Sequence, residues 1–212
     1  MPPSSFLLFL LLLTVMQEGI AQVTVTKLTR AELPKEIKFR GRIVDAHRYR
    51  DTLGQNLVIR TETGIYRTRA DIENSTNSAR LYAYHYTLNE DSAQLTWTLT
   101  DHILACELDL SATFIENAFS ITDLDNDGNA ETWLVYQTYC RGDVSPGTLK
   151  IIMYEGVNKH AMRGARKIPV SPTEVLGGKY SFDKAFLNAA DTFRNYAKKL
   201  WKKYEPEAVE AL

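Results

Sequence analysis

Apolar and polar residues alternate along most of this chain after its first 35 positions. An alternation of period two is typical of β-strands that bury one face and expose the other. We therefore expect a mainly β fold of antiparallel sheets, arranged as a sandwich or like a propeller blade. The pattern predicts strands at 36–50, 56–61, 65–72, 81–88, 95–103, 114–121, 133–139 and 148–154.

The C-terminal part of the chain changes to helical spacing. Ser181 is a suitable N-cap, and the apolar residues that follow recur every three or four positions. The pattern predicts an α-helix at 182–204 that packs on the sheets, although a helix that docks on a partner or a membrane surface is the alternative. The apolar stripe of this helix consists of Phe182, Phe186, Ala189, Phe193, Ala197, Leu200 and Tyr204.

The first 21 residues have the features of a signal peptide. Residues 6–16 are an apolar run too short to span a bilayer comfortably, and Gly19 and Ala21 place small residues before a cleavage site. We expect cleavage before Gln22, which leaves a single domain at 22–212. We expect this domain to be exported to the periplasm or to the outside of the cell. The absence of Lys and Arg from residues 1–5 leaves an uncleaved anchor as the alternative.

Charge and cysteine content narrow the functional classes. The chain has 25 basic and 26 acidic residues, and the leader holds one acidic residue, Glu18, so the rest is balanced. This balance argues against a nucleic-acid partner, and no later segment is long and apolar enough to span a membrane. Cys106 and Cys140 are the two cysteines, and export favours a disulfide between them over two buried thiols.

An acidic loop between two predicted strands carries the strongest chemical signal. Three aspartates alternate over five positions and are followed directly by Gly128, where the backbone must turn sharply. Several oxygen ligands from one tight loop are the preference of calcium, so we expect calcium here rather than a solvated acidic turn. The expected ligands are Asp123, Asp125, Asp127, Asn129 through its backbone carbonyl, and Glu131.

A row of tyrosines is a second candidate feature. Tyr82, Tyr84 and Tyr86 lie on one face of the predicted strand 81–88, and aromatic rings with hydroxyl groups suit carbohydrates. We therefore treat the row as a candidate ligand face. Half-buried packing within the sheet is the more frequent role of such a row.

Several stretches resemble a family of exported proteins of Gram-negative bacteria that is loosely named for surface-polysaccharide biosynthesis. The acidic loop is also similar to the loops of integrin-type β-propeller repeats, which implies calcium at the positions given above. The chain has a single loop of this kind, so a whole propeller is not implied. The resembling stretches are 81–86, 121–131, 145–150, 160–164 and 196–201.

From these observations we expect an exported calcium-binding accessory or binding protein of the cell envelope, with a polysaccharide or an envelope protein as its partner. A carbohydrate-active hydrolase is the alternative, because acidic residues are plentiful. No pair of carboxylates stands out and no nucleophile or phosphate-binding motif is present. The sequence therefore favours a non-catalytic role and singles out no catalytic residue.

Overall fold

A computed structural model of the chain describes residues 23–69, 75–90, 92–171 and 173–207. The predicted signal peptide, 1–21, and the far end of the predicted strand 65–72 lie outside the described residues. The described part is mainly β, with antiparallel sheets and a C-terminal helix packed on them, as predicted. No helix within it is long and apolar enough to cross a membrane.

Thirteen strands are formed by the described residues, with a short 3-10 helix at Arg30–Glu32 and two α-helices. The helices are α1 (Lys184–Leu187) and α2 (Asp191–Tyr204). The strands are β1 (Val25–Lys27), β2 (Arg42–Asp51), β3 (Gly54–Arg69), β4 (Ser75–Leu88), β5 (Ala93–Cys106), β6 (Asp109–Phe114), β7 (Ser120–Thr122), β8 (Glu131–Arg141), β9 (Thr148–Glu155), β10 (Asn158–Ala165), β11 (Lys167–Pro169), β12 (Val175–Gly177) and β13 (Tyr180–Phe182).

These strands form two large antiparallel sheets. The first sheet has the order β1-β2-β3-β4-β5, and the second has the order β13-β10-β9-β8-β6, with β7 also paired to β8. Strands β11 and β12 form a small separate pair. Most neighbours in a sheet are also neighbours along the chain, which is the usual outcome when short turns connect antiparallel strands.

The two large sheets pack face to face as a sandwich, and each outer face is also covered. Leu81 and Leu99 of the first sheet meet Leu134 and Ile152 of the second in the central core. The segment around Leu33 and the neighbouring strand ends cover the outer face of the first sheet. Helices α1 and α2 cover the outer face of the second. Apolar residues on both faces of the central strands are therefore buried.

At three places the predicted strands differ from those of the structure for reasons of backbone geometry. The segments 56–61 and 65–72 form one strand, β3, because a bulge between Glu62 and Ile65 absorbs the irregularity. The predicted strand at 36–50 begins only at Arg42, after Gly41, which has a φ of 84°. The predicted strand at 114–121 is interrupted at Asn117, which has a φ of 55°.

The predicted helix 182–204 is divided in two. Phe182 belongs to β13, and Asp183, rather than Ser181, is the N-cap of α1, its side chain accepting a hydrogen bond from Phe186 N at 2.8 Å. The chain leaves helical geometry after Leu187 and resumes it at Asp191. The apolar stripe still packs on the second sheet, as predicted, because both helices present it to the same core.

The tyrosine row is buried rather than open to a ligand. Tyr82, Tyr84 and Tyr86 pack beneath the N-terminal segment on the outer face of the first sheet. The hydroxyl of Tyr86 donates to Lys38 O at 2.7 Å, and that of Tyr84 accepts from Arg40 N at 3.1 Å. These contacts fit the packing alternative, and the row does not form an exposed ligand face in this arrangement.

The disulfide between Cys106 and Cys140 is present, as predicted. Cys106 is the last residue of β5 in the first sheet, and Cys140 lies near the end of β8 in the second. The disulfide therefore ties the two layers of the sandwich together at one end.

Candidate metal centre

The acidic loop connects β7 to β8, so it is flanked by strands, as predicted. Thr122 and Glu131 pair directly across its base. Two residues inside the loop, Asn126 and Gly128, have φ values of 58° and 85°. Left-handed conformations of this kind are accessible mainly to Gly and Asn, and they let the backbone fold back on itself within a few residues.

Hydrogen bonds from the backbone organise the aspartate side chains of the loop. Gly128 N donates to Asp123 Oδ2 at 3.2 Å, and Asn129 N donates to Asp127 Oδ1 at 2.7 Å. The side-chain amide of Asn129 also donates to Asp127 Oδ2, at 2.8 Å. These hydrogen bonds within the loop hold the carboxylates in a fixed arrangement before any cation binds.

Glu131 is fully buried at the base of the loop. Its carboxylate accepts from Thr122 Oγ1 at 2.5 Å and from Leu124 N at 3.1 Å. Burial, with a smaller contribution from the charges of Asp125 and Asp123, raises the pKa of Glu131 to about 7. A carboxylate with this environment gains strongly from a nearby positive charge.

Carboxylate oxygens converge at two neighbouring positions on the loop. One oxygen each from Asp123, Asp125 and Glu131 lie within 4.8 Å of one another. Asp123 Oδ1 is buried and has no hydrogen-bond partner among the described residues, which leaves it free to act as a ligand. A buried oxygen without a partner is costly, and a cation would satisfy it.

The second position contains a residue that the sequence reasoning missed. Asp125 and Asp127 meet the carboxylate of Glu155, again with oxygens within 4.8 Å. Glu155 ends β9 and lies opposite Glu131 in the pairing of β8 with β9. Burial, followed by the charges of the loop aspartates, raises the pKa of Glu155. Only the register of two strands brings this residue to the loop.

The loop also docks on the first sheet, at the turn between β2 and β3. Thr52 N donates to Gly128 O at 2.9 Å, and Ala130 N donates to Asp51 Oδ2 at 3.2 Å. A Cβ added at Gly128 would lie 2.6 Å from Thr52 Cγ2, so a larger residue there would require the Thr52 side chain to move. The loop therefore forms part of the contact between the two sheets.

The five predicted ligand residues are thus brought together, but their roles differ. Asp123, Asp125, Asp127 and Glu131 contribute carboxylates to the two groups. The side chain of Asn129 bonds to Asp127 and to the hydroxyl of Thr52. Cys140 is nine residues from Glu131 along β8, about 30 Å at the usual rise of an extended strand, so the disulfide lies far from the loop.

The chemistry of this donor set suits a hard cation. Both groups of ligand atoms consist of carboxylate oxygens alone, without His or Cys. Oxygen ligands of this kind favour calcium or magnesium over zinc or copper. The residues present therefore fit a calcium ion, which stays a prediction.

Comparison of the chain with protein-family models, with curated proteins and with solved structures found no match. The resemblance described from the sequence motifs therefore stays a prediction as well.

Proposed function

We propose that this protein is an exported calcium-binding protein of the cell envelope, with a binding or accessory role linked to surface polysaccharide. The observation that carries the proposal is the convergence of Asp123, Asp125 and Glu131, together with the unpartnered buried oxygen of Asp123. Close carboxylates repel one another, and a divalent cation turns this repulsion into attraction.

Calcium fits the loop better than magnesium does. Calcium accepts six to eight oxygen ligands in flexible geometry, whereas magnesium requires a near-ideal octahedron and usually keeps several waters. The loop offers carboxylates from two neighbouring groups that share Asp125, with Glu155 added from a separate strand. A many-ligand arrangement with irregular spacing is the kind that calcium tolerates.

The role proposed for the ion is structural in the first place. The loop contacts the β2–β3 turn through Thr52 and Asp51, so an ion that orders the loop also strengthens the contact between the sheets. Export is supported by the leader-like residues 1–21 and by the disulfide, because disulfides persist in oxidising compartments. The link to polysaccharide rests on the resemblance, with an envelope protein as the other candidate partner.

The test is thermal unfolding of residues 22–212 in chelator, in calcium and in magnesium. An ion that binds only the folded state at one hundred times its Kd stabilises it by about 2.7 kcal/mol. For a chain of this size we expect a calcium-specific rise in Tm of about 5–10 °C. Titration calorimetry should give the number of ions bound.

Two variants separate the loop from general effects of charge. Asp125→Asn should remove most of the calcium-dependent rise, because Asp125 belongs to both groups of carboxylates. Asp143→Asn is the matched control, since Asp143 is an exposed aspartate in a different turn. Equal calcium responses in the two variants, or no response in the unaltered protein, would refute the proposal.

A further inference from the structure

A cavity of about 330 Å³ opens beside the acidic loop, and we name it the His85 cavity. It lies where three turns meet: the β2–β3 turn at Leu53, the β9–β10 turn at Gly156, and the end of the acidic loop at Asn129. Its volume is near the lower end of the range for small-molecule sites in proteins, about 300–1,000 Å³. The size therefore suits one small molecule.

The inner wall of the cavity contains a histidine with unused hydrogen-bonding capacity. The side chain of His85 is only 5% exposed, and its Nε2 lies 3.0 Å from the hydroxyl of Tyr49. Its Nδ1 is buried and has no partner among the described residues. A buried ring nitrogen without a partner is unfavourable, and the ring that carries it forms part of the cavity wall.

Packing holds this histidine in place before any ligand arrives. The ring of His85 stacks on Trp97 with centroids 5.1 Å apart, and Trp97 stacks on Tyr154 at 3.9 Å. Asn56 in the same cavity is 1% exposed, and its amide donates to Asp51 Oδ1 at 2.8 Å. The polar groups of the cavity are therefore preorganised, which lowers the cost of binding.

A bulge between β4 and β5 lies beside the His85 cavity and places a further hydroxyl group in its wall. The pairing of β4 with β5 shifts between His85 and Tyr86, and the shift leaves Thr96 without a partner in the register. Thr96 and Thr87 both line the cavity, and their hydroxyl oxygens are 3.3 Å apart. β-Bulges are frequent beside functional sites, where they re-aim a side chain.

The lining defines the chemistry of the ligand. The described residues of the lining provide amide, hydroxyl, imidazole and carboxylate groups but no Lys or Arg, which disfavours an anion. Leu53 and Val157 contribute apolar surface, and Val157 is 66% exposed. Glu155 is the only carboxylate among the lining residues that the structure describes, and these form no two-carboxylate arrangement of the glycosidase kind.

We propose that the His85 cavity binds a small neutral polyhydroxy molecule, namely a single sugar ring or a polyol, through the polar groups of its wall. Asn129 and Glu155 belong to both the cavity wall and the acidic loop region, so calcium in the loop strengthens this binding. The calcium dependence rests on the function proposed above, whereas the cavity itself does not.

The experiment uses ¹⁵N-labelled protein, residues 22–212, with glucose, galactose and glycerol as probes at millimolar concentrations. Binding is followed through the backbone amide signals of Gly156 and Asn158, in calcium and in chelator. Methyl glycosides of the two sugars imitate residues linked in a chain, and tighter binding of these indicates a polysaccharide end rather than a free sugar. Calorimetry with calcium alone is run in parallel.

Three variants locate the binding. Val157→Trp should block the mouth of the cavity and weaken binding at least tenfold, and His85→Phe should weaken binding by changing the inner wall of the cavity. Val144→Trp is the matched control, because Val144 is 55% exposed and does not line the cavity, and its binding should be unchanged. Val157 and Val144 are both exposed, so folding should survive either tryptophan.

Each outcome has a defined meaning for the cavity. Probe binding that Val157→Trp abolishes and Val144→Trp keeps would support the proposal. No probe binding in calcium, or equal binding by Val157→Trp and the unaltered protein, would overturn it. Probe binding by a protein that fails to bind calcium would overturn the function proposed above and leave the cavity proposal standing.

Discussion

Removing the disulfide should be the most informative perturbation of stability. Cys106 and Cys140 are 34 positions apart, and they join the ends of β5 and β8 in different sheets. In the chain-entropy model a crosslink that closes a loop of this length stabilises the folded state by about 4 kcal/mol. A loss of this size is a large fraction of the stability of an ordinary domain.

The assay is urea unfolding of oxidised protein, of reduced protein, and of the double variant Cys106→Ala/Cys140→Ala, all in chelator. With an m-value of about 2 kcal/mol/M, the midpoint should fall by about 2 M in both altered forms. Reduced protein keeps both sulfur atoms, so it separates the crosslink from side-chain packing. A loss under about 1 kcal/mol in the reduced protein would refute the entropic reasoning.

Three other perturbations test the site and its surroundings. Burial lowers the pKa of His85 from 6.5 to about 4. Between these two pH values the unfolded chain therefore binds a proton at His85 that the folded chain does not bind. Stability should therefore fall by up to about 3 kcal/mol as the pH drops through this window, and urea titrations of His85→Phe should lack that component. Gly128→Ala should lower the free energy of unfolding by about 1–3 kcal/mol, because Gly128 has a positive φ and an added Cβ would clash with Thr52 Cγ2. Adding Thr52→Ser to this variant removes Cγ2, so it should restore only the part of the loss that is due to the clash. Asp183→Ala should cost about 1 kcal/mol in thermal unfolding, because Phe186 N loses its acceptor at the start of α1.

Local patterns predicted the strands well where buried and exposed residues alternate along the sequence. Trp97 and Leu99 are buried and Thr98 and Thr100 are exposed, as their alternation predicted. The helical stripe at the C-terminus packs on the second sheet for the same reason. The disulfide between Cys106 and Cys140 could be predicted because the chain has two cysteines and a leader-like segment.

The sequence left the tyrosine row open between a ligand face and half-buried packing, because no local pattern reveals that Leu33 and its neighbours cover it. The helix at 182–204 was predicted as continuous, but Phe182 pairs with Met162 in the second sheet instead. Tertiary pairing overrides helical periodicity in such cases.

The sequence by itself determined the acidic loop, with its alternating carboxylates and its glycine, because a tight turn and its ligands are local features. The tertiary structure alone decided that Glu155 lies beside that loop and that His85 borders a cavity next to it. Both depend on strand register and on how the two sheets pack. These are set by the sum of many long-range contacts, which a short stretch of sequence does not encode.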